Sequence, residues 1–148
     1  MAYEVAIEDV DGVLRAEIRG TRAAGQAAEE GRQLWFQIAD ECRDRKTNLV
    51  LLVSHLKGPL STLAAFEIGA NLPAPEFGHL LVIAYVNLDP GSLADSQFAE
   101  TVARNRGWTV EVFGDESDAW RWIEQKRAVR VPRSRDRRED VPGASPED

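Results

Sequence analysis

Apolar and polar residues alternate along the first twenty positions. Tyr3, Val5 and Ile7 interleave with Glu4, Ala6 and Glu8, and after Asp11-Gly12 the run Val13, Leu14, Ala16 and Ile18 continues the pattern. A period of two belongs to a strand with one buried face. Asp-Gly between two such runs signals a tight turn, because glycine takes positive φ without steric cost. An antiparallel hairpin is therefore expected, closed by Gly20-Thr21. The period then lengthens. Ala27, Leu34, Trp35, Ile38, Ala39 and Cys42 recur at three- and four-residue spacing, which is one face of a helix. This places a helix over residues 27–44. Gly25 and Gly31 weaken its early turns, and Arg43, Arg45 and Lys46 sit at its carboxyl end, where cations suit the macrodipole.

Two later stretches, Asn48 to Val53 and His79 to Val86, are apolar without alternation. Short runs of this kind suit central strands buried on both faces. Between them Gly58-Pro59 stops the chain, Leu60 to Ala70 reads as a short helix, and Pro73 and Pro75 fall in the returning loop. Strand, helix and strand at this length imply a right-handed parallel crossover. Asp89-Pro90-Gly91 marks a turn, and Ser92 or Asp95 is expected to cap a helix carrying Phe98, Ala99, Val102 and Ala103, ended by Gly107. Trp108, Val110 and Val112 alternate as a half-buried strand near a sheet edge. Asp115 then caps a last helix, with Asp118 three residues on as in a capping box, and Ala119, Trp120 and Ile123 as its buried stripe. Trp122, about 200° from Trp120 on a helix, is expected at a margin. Periodicity stops at Lys126, and residues 127–148 mix arginine, proline, serine and acid, the composition of a disordered tail. The expected order is β-β-α-β-α-β-α-β-α, in one α/β domain over residues 2–126.

Composition narrows the function more than it defines it. The chain has 148 residues, 43% of them hydrophobic, with one cysteine and two histidines. That is one domain with material for a core. Cys42 has no disulfide partner and fits the apolar stripe of the first helix, and so few Cys and His residues leave no basis for a zinc site. No run approaches the length of a membrane helix, and the amino-terminal stretch lacks the basic-then-apolar pattern of a secretory signal. A cytoplasmic protein without a membrane span is expected. Residues 1–125 hold 11 Lys/Arg against 20 Asp/Glu, whereas residues 126–148 hold 7 against 5. An acidic folded part argues against a nucleic-acid-binding face. The basic tail is a candidate tether.

The closing stretch, Val110-Glu-Val-Phe113-Gly-Asp115-Glu-Ser-Asp118-Ala119-Trp-Arg-Trp122-Ile123, together with the order of elements, resembles the STAS domain in its SpoIIAA-like branch. There a strand ending in Phe is followed by an acidic cap, and Ala and Trp-Leu stand on the last helix. Ile123 here takes the place of the usual Leu. The resemblance implies a four- to five-stranded mixed sheet with helices mainly on one face, and no enzymatic activity or cofactor. Anti-sigma-factor antagonists of this family are phosphorylated by a partner kinase at a serine opening the helix after the central strand. Leu60-Ser61-Thr62-Leu63-Ala64 stands at the matching place. Ser61 and Thr62 fit, while Leu60 and Leu63 replace the flanking Asp and Gly. The structural-role alternative is that Ser61 and Thr62 simply cap that helix. The branch also resembles the CRAL-TRIO fold of lipid-transfer proteins, which implies a small apolar ligand.

On that reading Leu56, Leu60, Leu63, Phe66, Leu88, Leu93 and Phe98 surround a ligand site near the loop after the third strand and the two helices that follow. The competing reading gives these residues to the core or to a homodimer interface. Leu56 and Leu60, flanking Gly58-Pro59, are expected as exposed leucines that a ligand or partner chain covers. Two other functions are carried as alternatives. One is an interaction switch, binding a regulatory protein and phosphorylated at Ser61 or Thr62. The other is a hydrolase using Ser54 and His55 at a strand end, but adjacent strand side chains point to opposite faces and no Gly-x-Ser-x-Gly elbow surrounds Ser54. No phosphate-binding glycine motif is present either.

Overall fold

The computed structural model describes residues 3–22, 25–58, 60–70 and 81–130, with side chains as far as Arg127. Strands β1 (Tyr3–Val10) and β2 (Val13–Gly20) form the hairpin, in register from Tyr3 opposite Gly20 to Val10 opposite Val13. Asp11 and Gly12 both take positive φ, 55° and 81°, the geometry of a two-residue turn whose twist matches the strands. The Gly12 N–H donates to Asp9 Oδ1 at 3.0 Å. Helix α1 (Ala27–Arg45) buries Leu34, Trp35, Ile38, Ala39 and Cys42, and ends where Lys46 turns left-handed at φ 58°. Burial of Cys42 pushes its thiol up to about 12, so it is a small core residue rather than a nucleophile.

The remaining elements are β3 (Leu49–Ser54), α2 (Thr62–Ala70), β4 (Val82–Asn87), α3 (Leu93–Arg104), β5 (Thr109–Phe113) and α4 (Glu116–Arg130). The five strands lie in the order β1-β2-β3-β4-β5. Only β1 and β2 are antiparallel; the other neighbours are parallel. The expected order of elements and the mixed sheet are both present. His79, the proline loop and the tail beyond Arg130 lie outside the described residues. Within them, two details differ from the sequence reading. The fourth strand begins at Val82, and α4 continues to Arg130, past the point where the hydrophobic stripe ends. Its last turns are helical without an apolar stripe, so periodicity could not mark them.

The unalternating strands are buried on both faces, as such runs require. One face of the sheet carries Leu14, Ile18, Val50, Leu52 and Ile83 against α1 and α3. The other carries Val13, Leu51, Val53, Ala84 and Val86 against Ala119 and Ile123 of α4. Three helices thus cover one face and one covers the other. Trp120 and Trp122 both pack at the margin of the α4 core. Trp122 leans on Phe113, with centroids 5.8 Å apart, and the Trp120 indole donates to Glu116 Oε2 at 3.0 Å. Asp115 caps α4 by accepting from the Ser117 N–H at 2.9 Å.

α4 is tied to the hairpin by charge as well as by packing. Arg15 on β2 donates from Nε and Nη2 to the two carboxylate oxygens of Glu116, at 2.9 and 3.1 Å. A bidentate pair of this kind is stronger and more directional than a single contact. The Arg15 hydrogen bond holds Glu116 below the usual carboxylate range. Stability from a depressed carboxylate is present above its unfolded value, ordinarily 4.5, and is lost as pH falls through the folded one. Glu116→Gln should therefore melt roughly 2–4 °C below the parent at pH 7, a value kept small by solvent screening. The gap should close in acid, and melting curves recorded from pH 7 downward check it.

Candidate functional site

The site follows from how α2 sits between its neighbours. A nine-residue helix beginning at Thr62 turns Ala65, Ile68 and Gly69 to one side, because positions three and four apart share a helix face. Ala65 and Gly69 are buried, and Ile68 is packed against the core. A Cβ added at Gly69 would stand 2.4 Å from the Ala99 carbonyl oxygen, and one at Gly31 would stand 3.0 Å from Ile68 Cγ1. α2 therefore rests directly on the backbone of α3 and presses Ile68 onto a glycine of α1. Its inward face is small, and it does not fill the space over the sheet.

That space is a partly open cavity of about 90 Å³. Gly31, Leu34 and Trp35 of α1 form one wall, and Ala99 and Ala103 of α3 form another. Tyr85, Val110 and Val112 line it from the sheet, with Tyr3 at the hairpin end. The Trp35 and Tyr85 rings stand 6.4 Å apart, tilted by 35°. Leu56 and Leu60 complete the lining from the loop after β3.

A few polar groups share the lining. Arg22, Glu30, Ser96 and Glu100 also line the cavity. Arg22 is buried, and its Nη1 donates to the Gly58 carbonyl at 2.8 Å and lies 3.7 Å from Asp89 Oδ2. Asp89 accepts from the Ser92 hydroxyl at 3.1 Å. Asn87, 2% exposed, donates from Nδ2 to Ser92 Oγ at 3.2 Å and to Ser96 Oγ at 2.7 Å. Its Oδ1 accepts from the Asp89 N–H at 2.9 Å. A buried polar chain thus joins the end of β4 to the start of α3. Ser92 stands at the amino end of α3 as expected, but its hydroxyl is committed to this chain and makes no cap. Tyr3 is held above the ordinary phenol value by burial and then by the charge of Glu30. It remains a phenol, donating to the Glu30 carbonyl at 3.4 Å.

The structure separates the residues the sequence grouped. Leu56 and Leu60 line the cavity, and neither is exposed; Leu60 is 7% accessible. This corrects the expectation of two exposed leucines. Leu63, Phe66, Leu88 and Phe98 are exposed and stand outside the cavity. Leu63 lies opposite the Ala65–Ile68–Gly69 face and Phe66 at its margin, where the Arg106 guanidinium covers the Phe66 ring at 5.7 Å. Leu88 lines a separate depression with Arg19, Thr21, His55, Lys57 and Asp89. Leu93 is half-buried beside Gly114. Ser61 caps α2, its Oγ accepting from the Ala64 N–H at 3.0 Å, and both Ser61 and Thr62 are exposed. Ser54 is buried, accepting from the Leu56 N–H at 3.3 Å, whereas the His55 ring meets Glu17 Oε2 at 2.6 Å. That contact lowers the Glu17 pKa.

Sequence reasoning missed the α1 wall, Tyr3, Arg22, Tyr85 and Ser96. One signal was present for the wall. Ala27, Gly31, Leu34 and Trp35 share a helical face, so Gly31 marks a close approach as well as a weak turn. Among the described residues no helix is long and apolar enough to cross a membrane, and no three His, Cys, Asp or Glu side chains are grouped to hold a metal ion. No protein-family model matches the chain, and no curated protein matches it. Replacing Asn87 by Ala would strand the Asp89 N–H and remove the amide donor to the Ser92 and Ser96 hydroxyl oxygens. Chemical denaturation of that variant should show a loss of about 1–3 kcal/mol.

Proposed function

We propose that this chain is a non-enzymatic binding module of the STAS/SpoIIAA-like type that takes a small apolar ligand between α1, α2 and α3. The observation that carries the reading is an apolar cavity, walled by Leu34, Trp35, Tyr85 and Ala103, with a few polar groups in its lining. Ligand sites are concave and mostly apolar, with few polar groups to fix orientation. The element order, the mixed sheet and three helices on one face support the family resemblance. The single buried Cys42 thiol fits a cytoplasmic setting.

A second reading rests on a different feature. Ser61 and Thr62 are exposed at the amino end of α2, next to exposed Leu63 and Phe66. A phosphate there would meet free N–H groups beside an apolar surface, which suits a protein-interaction switch. On this reading Ser61→Asp changes partner binding while leaving the melting temperature near that of the parent.

Native mass spectrometry of freshly purified protein, repeated after denaturation, tests the first reading. The expected result is a non-covalent mass increment that denaturation removes. Ala99→Leu supplies the matching control, because added carbons on the α3 wall occupy the cavity. That variant should lose the increment and gain up to about 1 kcal/mol of stability. An increment unchanged by Ala99→Leu would place the ligand elsewhere.

A further inference from the structure

The lining of the apolar cavity includes a cation, Arg22. Arg22 lies just beyond β2, where its N–H donates to the Lys57 carbonyl at 2.8 Å beside the Thr21–Lys57 bridge. That pairing fixes the backbone and carries the guanidinium into the cavity wall, with its side chain 6% exposed. A guanidinium has five N–H donors in a fixed fork. Among the described residues, the side chain makes one hydrogen bond, from Nη1 to the Gly58 carbonyl. The Asp89 carboxylate is 3.7 Å away, beyond hydrogen-bond length, and its oxygens already accept from the Gly91 N–H and the Ser92 hydroxyl. Among the described residues the other N–H donors of the fork take no protein acceptor, which leaves them for a planar acceptor seated in the cavity.

The other charges in the wall restrict what that acceptor is. The Glu100 carboxylate is occupied, accepting from the Val112 N–H at 3.0 Å and from Arg104 Nη1 at 2.7 Å. Glu30 is half-buried on α1, close enough to raise the Tyr3 phenol. The Asp89 carboxylate beside Arg22 already offsets part of its charge, which disfavours a ligand carrying two charges. Size sets the rest. A dry cavity of about 150 Å³ holds a benzene ring, so about 90 Å³ encloses roughly four carbons.

Resting on the apolar-ligand reading above, we propose that the ligand is a small monocarboxylate. Its branched or straight tail of about four carbons occupies the space between Leu34, Trp35, Tyr85 and Ala103, and its carboxylate pairs with the Arg22 guanidinium. Arg22 then sets head-group specificity, and the Asn87–Ser92–Asp89 chain holds the wall opposite it.

The test is an amide-detected NMR titration of the full chain with three probes of one shape: 3-methylbutanoate, 3-methylbutanamide and 3-methylbutylamine. The carboxylate should bind about tenfold or more tightly than the other two, as a charge-assisted pair requires, and should shift the amides of Arg22, Gly31, Tyr85 and Ser96. In Arg22→Gln that preference should vanish while amide binding persists. The comparison among probes on the unaltered protein decides the matter even if that variant does not fold. Equal binding of carboxylate and amide would overturn the head-group assignment and leave the cavity reading standing. A preference for the amine would overturn it in favour of Glu30. If no probe shifts the cavity amides, both readings fail.

Discussion

The helical layer is set by two contacts in which one partner has no side chain. Gly69 lets α2 lie on the Ala99 carbonyl, and Gly31 receives Ile68 from the same helix. These contacts fix α2 against α3 and α1, where a larger residue at either position would push it away. The cost of so close an approach is that α2 offers the sheet only Ala65, Ile68 and Gly69. Elsewhere the interior is closed to solvent, with Leu14, Ile18, Ile38, Leu52 and Ile83 essentially inaccessible. The cavity is thus a consequence of helix placement, located where one short helix has little to fill the space beneath it.

The two faces of the sheet use charge differently. Under α4, Arg15 gathers Glu8, Glu17 and Glu116 at a half-exposed surface; pairs of that kind hold a helix end in place but contribute little each. Under α1–α3 the polar groups are buried, and Asn87, Ser92, Ser96 and Asp89 satisfy one another. A satisfied buried network is rigid and specifies one arrangement. It positions the start of α3, and therefore Ala99, which is the surface that Gly69 contacts. Against this background Arg22 stands out: a buried guanidinium in the cavity wall that, among the described residues, makes one side-chain hydrogen bond.

The elements of the fold were legible in the sequence because burial leaves a period. Alternation gave the hairpin, the i, i+3, i+4 stripe gave α1, and unbroken apolar runs gave β3 and β4. The end of α4 was not legible, since the residues after Ile123 open with Glu124, Gln125, Lys126 and Arg127 and continue no apolar stripe. The cavity adjoins the loop and helices that the sequence singles out, and Leu56 and Leu60 are in its wall, but α1, which the sequence reading leaves out, is too. Leu63, Phe66, Leu88 and Phe98 stand outside that wall for a physical reason. A search for large apolar side chains selects Leu63, Phe66 and Phe98, whereas the wall is made by what small residues leave empty. An unfilled space has no residue type to mark it. Arg22 and Tyr3 escaped notice because only the tertiary structure brings the ends of the hairpin beside α1.

The central claim is that a dry, ligand-sized space exists between α1, α2, α3 and the sheet. Xenon occupies apolar cavities of this kind without needing any particular head group. The direct measurement is therefore amide and methyl NMR of the protein under xenon pressure. Saturable shifts confined to Leu34, Trp35, Tyr85, Ala99 and Ala103 are expected. A xenon response that is absent there, or spread evenly over the surface, would show that the helical layer closes on the sheet and would contradict the account.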